Sequence, residues 1–242
     1  MTTQVALVGG SGKLGRIIHA VIDNLDGFAV RAVLGSGSDL AELAGADLVV
    51  DASTPDASPA VVDAAIAQGS AVLVATSGWS AGRIESLRPR VDAAGAGVVI
   101  IPNFSLGSVL GTALAALAAP HFASVEIVEA HRDTKVDSPS GTAVRTAEVV
   151  AAAAAGPLAA PHSEQPARGE LVAGIPVHSL RRPGVIAQQE VIFSGPGESL
   201  RIAHDTVSPA DAYAPGIRAA LPFARDARGV HVGLETVLGL RA

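Results

Sequence analysis

The sequence predicts an α/β fold, with a doubly wound parallel sheet at the N-terminus and a second, α+β domain built on a mixed sheet. Three observations lead there. Short apolar runs alternate with helical-period segments through the first hundred residues, a glycine-rich turn directly follows the first run, and from position 175 three apolar runs succeed one another with no helix between them.

Residues 4–8 form a compact apolar run, the first strand, and residues 13–25 carry apolar side chains at helical spacing. Strands follow at 29–34, at 48–50 leading into Asp51, at 71–75 and at 97–101. Helices are expected at 58–68 and 81–94. After Asn103 the character changes: a helix at 109–118, a strand from 124 that ends at His131, a polar loop, and a helix at 142–155. The runs at 175–180, 186–193 and 199–205 therefore belong to a mixed or antiparallel sheet. Residues 151–169, rich in Ala and Pro, read as a helix end and an exposed loop. The tail from Tyr213, helix-like at 216–224 and strand-like at 230–234, fits either domain, and no internal repeat is visible.

The 242 residues include 17 Lys+Arg against 23 Asp+Glu, 49% hydrophobic residues and no Cys. That length suits one large or two modest domains with a sizeable core, which excludes a disordered chain and a disulfide scaffold. Mean hydropathy is +0.41, yet apolar stretches such as 149–161 are short and broken by Gly or Pro, whereas a membrane span needs about 20 apolar residues. No membrane partner is expected. Met-Thr-Thr leads straight into a strand without a leader, so a cytoplasmic location is expected. The lack of Cys removes thiolate chemistry and thiolate zinc sites, and no His pair has metal-ligand spacing beside a carboxylate cluster, so no metal is expected. A mildly acidic balance without basic clusters argues against nucleic acid. Among the cations only Lys13 and Lys135 are lysine, and both sit in the most motif-like segments. Arginine replaces lysine as a generic charge, but not as an ammonium with a tunable pKa.

The turn after the first strand reads Gly9-Gly10-Ser11-Gly12-Lys13-Leu14-Gly15. Glycines there permit a tight turn and let backbone N–H groups approach a diphosphate at a helix N-terminus, so the first domain is expected to be Rossmann-like and to bind NADPH or NADH. The second strand ends in Gly35-Ser36-Gly37-Ser38-Asp39, with no carboxylate at its tip for a ribose hydroxyl. Asp39 could reach the ribose or cap the helix that follows, the cap being the expected role, and Lys13 or Arg16 could receive a 2′-phosphate. Around the end of the strand at His131, a proton donor and the Lys135 ammonium lie near one side of a loop, while Ser140-Gly141-Thr142 opens a helix on the other. Such a set suits a small dicarboxylate undergoing protonation.

This segment, Glu129-Ala130-His131-Arg132-Asp133-Thr134-Lys135-Val136-Asp137-Ser138-Pro139-Ser140-Gly141-Thr142, is similar to the Glu-x-His-His-x-x-Lys-x-Asp-x-Pro-Ser-Gly-Thr signature of the dihydrodipicolinate reductase family. Ile101-Pro102-Asn103-Phe104-Ser105-Leu106-Gly107 resembles the family's domain junction, and 174–181 and 189–191 resemble its later strands. The resemblance extends from the first strand to Glu235. It implies a dinucleotide-binding domain at 1–103 and 214–242, a substrate-binding and oligomerisation domain at 104–213, and a homotetramer built by the sheet of the middle domain. It also implies an activity: reduction of 4-hydroxy-tetrahydrodipicolinate to tetrahydrodipicolinate in diaminopimelate and lysine biosynthesis, with hydride passing from NADPH or NADH to an unsaturated ring after loss of water.

The implied proton donor is His131, and Lys135 is implied to bind a substrate carboxylate and assist the transfer. Ser140, Gly141 and Thr142 are implied to hold the other carboxylate of this small cyclic dicarboxylate, with Arg132 and Ser77 also on the substrate. The nucleotide would meet the Gly9–Gly15 turn together with Ser53, Ala75, Thr76, Ser77, Asn103 and Phe104. Three departures stand out: Arg132 occupies the place of the signature's second His, Ala75-Thr76-Ser77-Gly78 replaces Gly-Thr-Thr-Gly, and Ala52-Ser53 replaces Phe-Thr. Arg132 exchanges a titrating ring for a permanent cation, which either keeps carboxylate binding or marks a relative acting on another cyclic imine or enamine acid. A nucleotide-binding regulator without catalysis is the alternative from another class. His19, His121 and His162 read as surface or packing residues; His178 and His204, on strands of the second domain, could face the substrate cleft, structural hydrogen bonding being the expected role.

Overall fold

The computed structural model describes residues 1–240. The chain divides into two compact units, one made of Met1–Phe104 with Tyr213–Gly239 and the other of Ser105–Ala212. Of the expected 214–242 segment, positions 241 and 242 lie outside the described residues.

The first unit contains β1 (Thr3–Val8), α1 (Lys13–Asp23), β2 (Phe28–Leu34), β3 (Leu48–Asp51), α2 (Ser58–Ala67), β4 (Ala71–Val74), α3 (Ala81–Ala94) and β5 (Gly97–Ile100). With a later strand, β11 (Gly229–Val232), these form a parallel sheet in the order β11-β5-β4-β3-β1-β2. Strands β3, β4 and β5 are buried along their whole length, which explains their unbroken Leu, Val and Ile runs: both faces of a doubly wound sheet are covered by helices. On α1, Gly15, Ile18, Val21 and Ile22 are the buried residues, one stripe at helical spacing. Chain order reverses between β1 and β3, the place where open α/β sheets bind ligands beyond the carboxyl ends of their strands.

The second unit contains α4 (Leu106–Ala118), β6 (Ser124–His131), α5 (Gly141–Ala153), β7 (Glu170–Val172), β8 (Ile175–Arg181), β9 (Ala187–Gly195) and β10 (Glu198–Thr206). Its sheet runs β10-β9-β6-β8-β7, with β6 and β8 parallel and the other pairs antiparallel. Val125, Ile127, Val177, Val191 and Phe193 pack with Ala115, Ala143, Ala147 and Val150 of the helices; the alanines let the helices lie close on the sheet. Along β6, Val125, Ile127 and Glu129 alternate onto this covered face, and His131 follows at the same spacing.

Three elements depart from the periodicity. Helix α4 begins at Leu106 rather than 109 because Ser105 caps it, its hydroxyl accepting from Ser108 N–H at 3.3 Å. Helix α6 (Pro209–Asp226) is twice as long as 216–224 and runs through Pro215 and Pro222. Interior proline is costly, but burial of Gly216, Ile217, Ala220, Leu221 and Ala224 along one face outweighs it. Strand β7 lies just beyond the expected loop, where three residues form an edge hairpin with β8 through Ala173 and Gly174, both at positive φ. A short helix, α7 (Leu234–Val237), follows β11. Among the described residues, no helix is long and apolar enough to cross a membrane.

Candidate active site

In the first unit, close packing accounts for the glycines of the β1–α1 turn. Gly9 has φ +81°, and a Cβ on it would overlap the carbonyl of Ala52 beyond β3, while a Cβ on Gly15 would overlap the Gly9 carbonyl oxygen. Gly12 is the N-cap of α1 and supplies no side-chain cap, so the first N–H groups of the helix, at Lys13, Leu14 and Gly15, receive no side-chain acceptor there. Ser11, Gly12 and Lys13 are exposed, and Arg16 closes the turn by donating from Nη1 to the Ser11 carbonyl at 2.7 Å. A bare, positively polarised helix end behind a glycine turn fits a dinucleotide diphosphate. Asp39 caps the 3-10 turn Leu40–Leu43 in a reciprocal box with Glu42, so no carboxylate is committed to a ribose at the end of β2.

Ser53, Ala75, Thr76, Ser77 and Asn103 follow the carboxyl ends of β3, β4 and β5 and share that edge of the sheet with the turn. Ser53 is tied through its N–H to Asp51 Oδ1 at 3.0 Å. The Thr76 hydroxyl donates to the Asp51 carbonyl at 3.1 Å and is buried, Ala75 is buried, and Ser77 is exposed. Phe104 is also buried, against the start of the tail segment: a Cβ on Gly216 would overlap its carbonyl.

In the second unit the site grows from the end of β6. His131 Nδ1 lies 2.6 Å from Oε2 of Glu129, whose side chain is 0% exposed. Glu129 also accepts from Arg181 Nη1 at 3.1 and 3.2 Å and from Ser140 N–H at 3.2 Å. Burial pushes its carboxyl up, and hydrogen bonds from Ser179, His131 and Arg181 outweigh that and hold it below the ordinary glutamate value. With Glu129 ionised, Nδ1 of His131 is the protonated nitrogen towards it, and Nε2 is the nitrogen left for chemistry. Arg181, paired with His131 across the β6–β8 ladder, also donates from Nε to the Lys135 carbonyl at 3.2 Å and from Nη2 to the Asp137 carbonyl at 2.6 Å. One guanidinium thus braces both the Glu129 carboxylate that meets His131 and the loop that carries Lys135.

Lys135 Nζ holds both carboxylate oxygens of Asp137 at 2.7 Å, and that hydrogen bond first of all keeps the Asp137 carboxyl below its ordinary value. Arg132 is exposed, and its guanidinium has no partner among the described residues. Ser140 is the N-cap of α5, its hydroxyl accepting from Ala143 N–H at 3.2 Å, and Gly141 and Thr142 are the first two residues of that helix. The structure therefore brings His131, Lys135 and the start of α5 onto one scaffold held by Glu129 and Arg181.

Sequence reasoning assigned no role to Glu129 or Arg181. Glu129 carried a legible signal, since it lies two residues before His131 on a strand and so shares its face. Arg181 carried none, being 52 positions from Glu129. Elsewhere, His178 Nε2 lies 2.7 Å from Glu126, and His204 Nε2 lies 3.4 Å from the Ser105 hydroxyl, both structural contacts.

A glycine turn suited to a diphosphate on a doubly wound sheet, and a carboxylate-held imidazole with an ammonium on a second unit, point to the class of nicotinamide-nucleotide-dependent oxidoreductases. Comparison with known proteins sharpens this. Residues 3–104 match the description "Dihydrodipicolinate reductase, N-terminus" and residues 107–238 match "Dihydrodipicolinate reductase, C-terminus". The 4-hydroxy-tetrahydrodipicolinate reductase of Clavibacter sepedonicus is 51% identical over 99% of this chain and 87% of its own. That of Beutenbergia cavernae is 40% identical over 99% of this chain and 100% of its own. The dipicolinate-bound dihydrodipicolinate reductase from Paenisporosarcina sp. TG-14 superposes with a TM-score of 0.85 at 26% identity, covering 98% of this chain and 99% of that one. The chain belongs to the dihydrodipicolinate reductase family.

Proposed function

We propose that this chain reduces 4-hydroxy-tetrahydrodipicolinate to tetrahydrodipicolinate, with NADH or NADPH as reductant and His131 as the proton donor. The observation that carries the reading is the buried Glu129 carboxylate 2.6 Å from His131 Nδ1 within the family signature. A bound nicotinamide nucleotide supplies the hydride. After the hydroxylated substrate loses water, hydride addition to the unsaturated ring leaves negative charge that a proton must neutralise, and the imidazolium of His131 delivers that proton from Nε2 while its Nδ1–H stays hydrogen-bonded to Glu129. Lys135 and Arg132 attract one substrate carboxylate, and the Gly141 and Thr142 N–H groups at the start of α5 receive the other. With Asp39 committed as a cap, nothing at the end of β2 selects against a 2′-phosphate, which supports use of both nucleotides.

We assign nucleotide binding to the unit Met1–Phe104 with Tyr213–Gly239, and substrate binding and oligomerisation to Ser105–Ala212. Leu171 and Leu180, 48% and 44% exposed, lie on the sheet face opposite the helices, and such an apolar face supports a homotetramer assembled through that sheet. The test is an assay with freshly generated substrate and each nucleotide in turn. Wild-type enzyme should oxidise NADH and NADPH, and His131→Gln should lower kcat by at least about 100-fold at unchanged nucleotide affinity. Turnover that survives His131→Gln overturns the proton-donor assignment.

A further inference from the structure

The first unit holds another buried carboxylate, one that the proposed chemistry does not use. Asp51 ends β3 with 0% exposure. Its Oδ1 accepts the N–H and the hydroxyl of Ser53, and its Oδ2 accepts the hydroxyl of Ser58, the first residue of α2. Ser58, also fully buried, accepts in turn the indole Nε1–H of Trp79 at 2.9 Å. Trp79 lies between β4 and α3 and is the single tryptophan of the chain. The same two segments are tied again by Arg83, which donates from Nη1 to the Gly78 carbonyl at 3.0 Å and to the Pro55 carbonyl at 3.4 Å. They also pack tightly: Gly78 has φ +91°, and a Cβ there would come within 2.8 Å of Pro55.

We infer that the Asp51–Ser58–Trp79 chain is a positioning element for nucleotide binding, holding segment 53–55 and segment 76–79 at a fixed spacing beyond β3 and β4. This rests on the reading of the first unit as the nucleotide site. Burying a carboxylate is expensive, and for stability alone an apolar group of similar volume would serve as well. Here the carboxyl group sits at the end of β3, between β1 and β4 in the sheet and beside the reversal of chain order where ligands of such sheets bind. Its donors are Ser53, in the first of those segments, and Ser58, which carries the link on to Trp79 in the second. Loops held in place before binding lose less freedom when the ligand arrives, so the chain of hydrogen bonds contributes to affinity.

The dissociation constants of NADH and NADPH test this. In wild type and Ser58→Ala they are read by energy transfer from Trp79 to the reduced nicotinamide, and in Trp79→Phe, which keeps a ring but removes the donor, by the nucleotide's own fluorescence. Each variant should bind both nucleotides about three- to tenfold more weakly, the size of one lost hydrogen bond. The double variant should bind no more weakly than either single one, and KM for the ring substrate should stay at the wild-type value. Folded single variants whose Kd values stay within about 1.5-fold of wild type overturn the inference, as does simple additivity in the double variant. If Ser58→Ala fails to fold, Trp79→Phe alone decides. Wild-type protein that binds neither nucleotide overturns the nucleotide reading itself, a separate outcome.

Discussion

Replacing Glu129 by Gln swaps one acceptor oxygen for an NH2 group in a fully buried side chain and removes the charge that faces the donors of His131, Arg181, Ser140 and Ser179. The amide oxygen can stay towards Arg181 and Ser140, which hold Oε1 at 3.1 and 3.2 Å. Its NH2 then confronts His131 Nδ1–H, a donor against a donor. Turning the amide over satisfies His131 and leaves the NH2 against Arg181 and Ser140. Either way at least one hydrogen bond to a charged group is lost, at about 1.5–3 kcal/mol, and the tautomer with a proton on Nδ1 loses its anchor. If that energy is lost in the transition state, kcat falls by about 10- to 150-fold. NADH and NADPH affinity should not change, because the dyad belongs to the second unit. The assay is steady-state turnover with direct nucleotide titration, on protein whose folding is verified by its melting transition. Combining Glu129→Gln with His131→Gln should cost no more than His131→Gln alone, since the two side chains act as one device. A folded Glu129→Gln enzyme with kcat within about twofold of wild type refutes the claim that this carboxylate positions the acid.

The Glu129 carboxylate also sets an expected pH dependence of stability. Its pKa is lowered on folding from an ordinary value of 4.5, so its stabilisation is complete above that pH and is lost as pH falls through the folded value. The melting temperature of wild type should therefore drop below about pH 4.5, and that of Glu129→Gln should drop less steeply; parallel curves would show that Glu129 contributes nothing to the acid limb. The Asp137 carboxylate holds Lys135 Nζ at 2.7 Å from an exposed position, so if Lys135 binds a substrate carboxylate as proposed, Asp137 competes with it. Asp137→Asn should lower the substrate KM by up to about fivefold, the range of an exposed ion pair, most visibly at low salt. An unchanged or higher KM would mean that Asp137 orients Lys135 for the substrate rather than masking it.

Much of this arrangement could be read along the chain, for a physical reason. Strands covered on both faces favour apolar residues throughout, so β3, up to its terminal Asp51, β4 and β5 announce themselves as apolar runs, and the glycine turn marks where backbone must pass close to backbone. Local caps were equally legible: Asp39 stands before an apolar turn, and Ser140 opens α5. What escaped depends on tertiary context. Pro215 and Pro222 signal helix breaks that α6 overrides by burying one face, and β7 is an exposed three-residue edge with no period of its own. Arg181 is invisible because its meaning comes from the parallel pairing of β6 with β8, a partnership that no local pattern encodes.

The two units use the same local geometry at their functional edges. On an extended strand, residues two apart share a face, so a buried acid at position i can hold a group at i+2 where the strand gives way to a loop. Asp51 does this for Ser53, and Glu129 does it for His131. In each case the acid stays within the ordered sheet while the residue it holds sits at the edge, where ligand chemistry requires exposure. Lys135 and Asp137 have the same spacing but lie in a loop, with the acid exposed. A carboxylate in water holds its partner weakly and can yield it to a competing anion, whereas one surrounded by protein donors keeps its partner fixed. On the proposed mechanism, the reversal of burial at Asp137 separates the group that would have to stay oriented through the reaction, His131, from the group that would exchange one carboxylate for another, Lys135.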